Sequence, residues 1–233
     1  MVLRQRRPRM WSGNLNSVGK LRKRGFTLLE TSMALVIIGV GVLAFVDAQT
    51  AFQHNNGWSS QAATGAYLAN EIREYSRHFP KHDKTSGGIW VEDGAGGKVL
   101  KGWGPESSET SLDLYDDCDD LDGKVFGSTG NMPGPIDAAG NVITQIGLDA
   151  EIKKDSDNKA VALQGWTQTV TVEKVDPFNW SLPRPGTYEI AANGSYKGLK
   201  VNDFSLRVTV TVSYQGVYDT TSQEVTRLVW IVP

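Results

Sequence analysis

A chain of 233 residues, 39% hydrophobic and 21% charged, is long enough for one globular domain plus an appendage, and its composition is not that of a disordered polymer. The net charge of -2 conceals an asymmetry: residues 1–24 hold eight basic residues and no acid, which leaves 16 basic against 26 acidic residues in the remainder. An acidic body of that kind argues against nucleic acid as a partner, and a lone Cys118 excludes both an intramolecular disulfide framework and a Cys-rich zinc site.

In chain order, residues 1–24 are basic and polar, with no apolar period able to bury a face, and read as an unstructured cytoplasmic leader. Lys and Arg clusters stay on the cytoplasmic side of a membrane, so this charge sets topology. Phe26 to Val46 is an apolar run that, as a helix, spans roughly 30 Å, the thickness of a bilayer's hydrocarbon core. Within it Glu30 is anomalous, because a carboxylate in lipid is costly without a partner. Gly39 and Gly41 mark a close-packing face or a soft spot.

From Asp47 to Phe79 the pattern turns amphipathic, with Ala51, Phe52, Trp58, Ala62, Ala66, Leu68, Ala69, Ile72 and Tyr75 at roughly helical spacing. The helix is expected to continue to Phe79, loosened near Asn55-Asn56-Gly57 and stopped by Pro80. Residues 81–163 are rich in Gly, Asp, Ser and Pro, with apolar islands at 89–91, 99–100, 125–126 and 142–148 that predict short strands between long loops. Three later segments, Trp166 to Val175, Leu206 to Tyr214 and Val225 to Val232, alternate with period two and predict an antiparallel sheet with one face on the helix and one wet.

The stretch Gly25-Phe26-Thr27-Leu28-Leu29-Glu30, preceded by Arg22-Lys23-Arg24 and followed by the apolar helix, resembles the prepilin signature shared by type IV pilins and type II secretion pseudopilins. The resemblance implies cleavage between Gly25 and Phe26 by prepilin peptidase, N-methylation of Phe26, and a Glu30 carboxylate that compensates the N-terminal amine of a neighbouring subunit, an attraction strong at low dielectric. The competing reading is an ordinary secretory signal cut after Ala48. Glu30 inside the apolar start, and an amphipathic helix running across that cut, speak against it.

Further along, Trp58, Ala62-Ala63, Tyr67 to Ile72, Gly104 to Glu109 and Asp116 to Gly123 resemble, in that order, the D-type minor pilin of mannose-sensitive haemagglutinin pili. V-type minor pilins and I-type minor pseudopilins share the general layout. Cys118 stands where that resemblance leads one to expect an apolar residue.

Asp116, Asp117, Asp119, Asp120 and Asp122 lie within seven residues and repel one another unless solvated, capped by amides or bound to a cation. An EF-hand register fails, because it begins on Cys118, a poor calcium ligand, and puts Thr129 where the bidentate glutamate belongs. The two readings left are a looser calcium site on these five residues and a set of Asx-turns and loop caps beside the sheet. His54, His78 and His82 are expected to be solvated rather than to hold metal. Trp90, Trp103, Trp166, Trp180 and Trp230 are read as packing residues, with a sugar-binding platform as the functional alternative.

The sequence contains no G-x-S-x-G, Walker loop or H-E-x-x-H, and the expectation is a non-enzyme. The expected architecture is α+β and type IV pilin-like: leader 1–25, transmembrane half-helix 26–46, periplasmic amphipathic half-helix 47–79, and an 80–233 head with an antiparallel sheet. The expected function is a minor pilin or pseudopilin initiating or capping a filament. Its partners would be prepilin peptidase, other subunits and the inner-membrane assembly platform; no nucleic acid and no obligate cofactor is expected. The alternative is a membrane-anchored periplasmic binding or adhesion protein that stays outside the filament.

Overall fold

The computed structural model describes residues 25–83, 87–127 and 129–233, and positions 1–24 of the expected leader lie outside the described residues. The chain divides between Gln53 and His54 into two compact units. Helix α1 (Leu28–Tyr75, 48 residues) is continuous through that boundary, so the loosening expected at Asn55-Asn56-Gly57 does not occur. The intrinsic cost of those residues, under about 1 kcal/mol each, is too small to interrupt a helix propagating from both sides.

In the first unit every side chain from Gly25 to Gln53 is exposed, including the aliphatic run Leu35, Val36, Ile37 and Ile38. The helix is long and apolar enough to cross a membrane.

In the second unit the end of α1 meets a sheet. The buried helix positions are Gly65, Leu68, Ala69 and Ile72, spaced i, i+3, i+4, i+7 on one face. Burying Leu68 and Ile72 contributes about 1.5–3 kcal/mol each. The stripe covers only the final turns: Phe52, Trp58 and Ala66, expected on the apolar face, are exposed. A methyl group on Gly65 would lie 2.9 Å from Val225 Cγ1, so the missing side chain sets the approach of helix to sheet. A 3-10 turn (Ser76–His78) ends the helix two residues before Pro80, near the expected stop.

The strands are β1 (Trp90–Gly94), β2 (Gly97–Lys101), β3 (Val125–Gly127), β4 (Trp166–Asp176), β5 (Asn179–Pro183), β6 (Leu206–Tyr214) and β7 (Gln223–Val232). The first two form a separate antiparallel hairpin, while the main antiparallel sheet runs β3-β4-β6-β7 with β5 also pairing with β4. Alternation works as expected in β6, where Leu206, Val208, Val210 and Val212 are wholly buried and Arg207, Thr209 and Thr211 face away. With Leu121, Phe126, Ile136, Val170 and Val172 they form the core under α1.

Gln168, a fully buried polar residue of β4, ties three segments together. Its Nε2 donates to Leu68 O of the helix (2.8 Å) and Ile136 O (3.0 Å), while its Oε1 accepts from Ile136 N (2.8 Å). The aspartate-rich segment after Ile136 is not strand, as expected for 142–148, but a run of bridged turns. Asp137 accepts from Ala139 N and Asn141 N, Asp149 from Glu151 N, and Asp155 from Asp157 N and Lys159 N.

Lys174, facing inward on β4, is 2% exposed and has no carboxylate in contact among the described residues. Its Nζ donates to Gly186 O (2.6 Å) and Tyr188 O (2.7 Å) and sits 4.6 Å from the centre of the Phe204 ring. Burial pushes its ammonium down to about 8, an effect partly offset by Glu189. The folded state therefore binds this proton less tightly than the unfolded chain does. The penalty is fully present below about pH 8 and is relieved as pH rises from there toward the unfolded value of 10.5. In chemical unfolding of the full chain in detergent, the wild type is expected to gain stability relative to Lys174→Met between pH 7.5 and 9.5. A constant difference across that range would refute this account.

Candidate functional site

The first candidate is the N-terminus of α1. Thr27 precedes the helix, and its Oγ1 accepts from Glu30 N at 3.3 Å, while Thr31 N donates to Thr27 O at 3.1 Å. Thr27-Leu28-Leu29-Glu30 thus has the spacing of a capping box, and the Glu30 carboxylate lies in the first turn, where the helix dipole favours an anion. That local role went unread in the sequence, although the T-x-x-E spacing was there to signal it. Glu30 and Phe26 are exposed, and a side chain added at Gly25 would meet nothing within 4 Å. Packing within the described chain therefore does not demand glycine there.

The second candidate is the acidic loop. It is held between the end of α1 and β4: Tyr75 Oη donates to Leu112 O (3.0 Å), Cys118 N to Pro80 O (3.0 Å) and Gly123 N to Val170 O (3.1 Å). Asp117 Oδ1 accepts from Asp119 N (3.0 Å) and Asp120 N (3.1 Å), starting the 3-10 turn Asp119–Leu121. Asp120 Oδ2 accepts from Asp116 N (3.1 Å) and Asp117 N (3.3 Å). Asp122 reaches outward, Oδ1 accepting from Val172 N (2.8 Å) and Oδ2 from Trp103 Nε1 (3.0 Å).

Asp119 is wholly buried, with Oδ2 accepting from Gly104 N (3.0 Å) and Oδ1 2.7 Å from His82 Nδ1. His82 was expected in solvent, and the structure corrects this: it is buried because Asp119 satisfies one ring nitrogen. Burial, aided by Lys81, pushes the imidazole down to about 4, so a neutral ring donates Nδ1–H to the carboxylate. His54 and His78 are exposed as expected.

The five aspartates are therefore not gathered at one point. Asp116, Asp117 and Asp120 bring oxygens within 4.8 Å of one another, and Asp120 does the same with Glu106 and Glu109. Asp119 and Asp122 direct both oxygens to other partners. Burial first, and then the neighbouring acids, raise Asp117 to about 8 and Asp120 to about 6. The same burial pushes the Cys118 thiol up to about 12, and its sulfur fills the core as an apolar residue would.

Of the tryptophans, Trp166 is buried, Trp103 and Trp230 pack against the core, and Trp90 and Trp180 are exposed. Trp90 Nε1 donates to Glu92 (3.1 Å).

A membrane-capable helix with Gly25 three residues ahead of it and Glu30 in its first turn, followed in the chain by an antiparallel sheet, is the pilin-like α+β arrangement. Against known families, residues 20–46 match the prokaryotic N-terminal methylation motif. The match spans Gly25, Phe26 and Glu30 and supports a type IV pilin-like or pseudopilin-like protein, a structural class processed by prepilin peptidase. The comparisons with curated proteins and with solved structures return no match.

Proposed function

We propose that the chain is a minor pilin or pseudopilin. Prepilin peptidase cuts it between Gly25 and Phe26, Phe26 is N-methylated, and α1 packs with the helices of other subunits delivered by an inner-membrane platform, while the 80–233 head stays on the periplasmic side. The subtype favoured by its acidic loop and late strands is the D-type minor pilin of mannose-sensitive haemagglutinin pili, initiating or capping a filament. The observation that carries the reading is the methylation motif at residues 20–46, whose described part runs into α1 with every apolar side chain from Phe26 to Val46 exposed. Such a surface needs lipid first and neighbouring helices later.

Glu30 gives the test. Its carboxylate is exposed in the single chain, so its removal costs a helix-end contribution of under about 1 kcal/mol locally. In a filament it would balance the Phe26 amine of the next subunit. Glu30→Ala should leave processing intact, with Phe26 as the mature N-terminus by sequencing, yet reduce recovery of the chain in sheared filaments several-fold. A mature N-terminus at Gln49, or undiminished incorporation of Glu30→Ala, would overturn the reading. Exposed Phe178 and Trp180 at the β4–β5 turn favour a second reading, a membrane-anchored adhesion head, which predicts indifference to Glu30→Ala.

A further inference from the structure

We propose that Glu106, Glu109 and Asp120 hold one calcium ion, a site that shares only Asp120 with the five-aspartate run read in the sequence and is independent of the filament assignment. Each of the three presents a carboxylate oxygen within 4.8 Å of the other two. Oxygens bound to one calcium at 2.3–2.6 Å lie up to about 5 Å apart, so this grouping is within the reach of a single ion.

Proximity of acids alone would not make a site. The deciding observation is Asp120 Oδ1, which is buried and has no hydrogen-bond partner among the described residues, although Asp120 is 0% exposed. Its sister oxygen Oδ2 is occupied by Asp116 N and Asp117 N. A buried carboxylate with one bare oxygen is costly unless something positive reaches it.

In the alternative grouping, Asp116, Asp117 and Asp120, two oxygens are already engaged, since Asp117 Oδ1 and Asp120 Oδ2 each accept two backbone amides. On the other side a turn, Glu109 N to Glu106 O (2.9 Å) with Glu106 N to Glu109 Oε2 (3.0 Å), holds the two glutamates together. The Gly104 N to Asp119 bond fixes that turn against the 3-10 turn that carries Asp120.

The electrostatics agree with this geometry. Glu109 is pushed up to about 7 by burial, by its side-chain hydrogen bond with Glu106 and by Asp120. From Glu106 to Asp122 the sequence contains eight acids and no basic residue. Water would complete the six to eight oxygens that calcium takes.

The test uses the full-length chain in detergent, stripped with a chelator and titrated calorimetrically with calcium chloride at pH 7.5, with thermal unfolding in parallel. The expected result is one saturable site per chain and a higher Tm with calcium. Glu109→Gln keeps an oxygen for Glu106 N and is expected to fold, yet to bind at least about tenfold more weakly, as is Glu106→Gln. Asp113→Asn, exposed on the same loop, should bind as wild type. No saturable heat, undiminished binding in both glutamine variants, or a Tm gain matched by sodium chloride of equal ionic strength would overturn the site.

Discussion

Gln168→Ala is expected to lower the stability of the second unit by about 3 kcal/mol, because it strands Ile136 N and Ile136 O in the core and leaves Leu68 O without its side-chain donor. An unsatisfied buried group costs about 1–3 kcal/mol, which outweighs the apolar area lost with the side chain. Gln168→Met tests the mechanism: it restores volume but no hydrogen bond, so it should recover only a small part of the loss. Gln168→Glu should be as damaging as alanine at neutral pH, since an ionised carboxylate cannot donate to the two carbonyls. Denaturant unfolding followed by tryptophan fluorescence, on the full chain in detergent, measures all three. A loss below about 1 kcal/mol for alanine would show that water replaces the side chain and that the tie is dispensable.

The second large effect is expected at Asp122. Its two oxygens hold Val172 N, a backbone donor of β4, and the Trp103 indole, so Asp122→Ala frees one sheet amide and one ring N–H at once. The expected cost is about 2–4 kcal/mol, since charge-assisted bonds are the stronger kind. Asp122→Asn, with one acceptor oxygen in place of two, should lose about half as much. Calcium affinity in Asp122→Asn should match wild type, because this residue is outside the proposed cation cluster. Equal stability of the alanine variant and wild type would mean that Trp103 and Val172 find other acceptors.

The parts of this molecule that were legible in the sequence are those set by local period. β6 occupies Leu206–Tyr214 as read, because alternation is a property of neighbours along the chain. The apolar start of α1 and its motif were legible for the same reason. β5 was missed because its polar-apolar alternation, Trp180 and Leu182 between Asn179 and Ser181, spans only five residues ending on Pro183, too few to separate from a turn. His82 was misread because its partner Asp119 is 37 residues away. Gln168 reaches 100 residues back to Leu68 O, a contact that no local pattern announces. In the acidic loop the aspartate spacing suggested both capping and calcium. Capping is what the amide contacts display, while the cluster around Asp120 depends on Glu106 and Glu109, which lie outside the run that drew attention.

Cys118 is the sole thiol in the sequence, is 1% exposed, and is held protonated by burial and its acidic neighbours. Because thiolate is the reactive form, this sulfur is inert toward maleimides and mild oxidants in the folded chain. The wild-type protein is thus already a silent background for single-cysteine chemistry. A cysteine placed at any exposed position along α1 would be the only one to take a spin label, a fluorophore or an intersubunit cross-link.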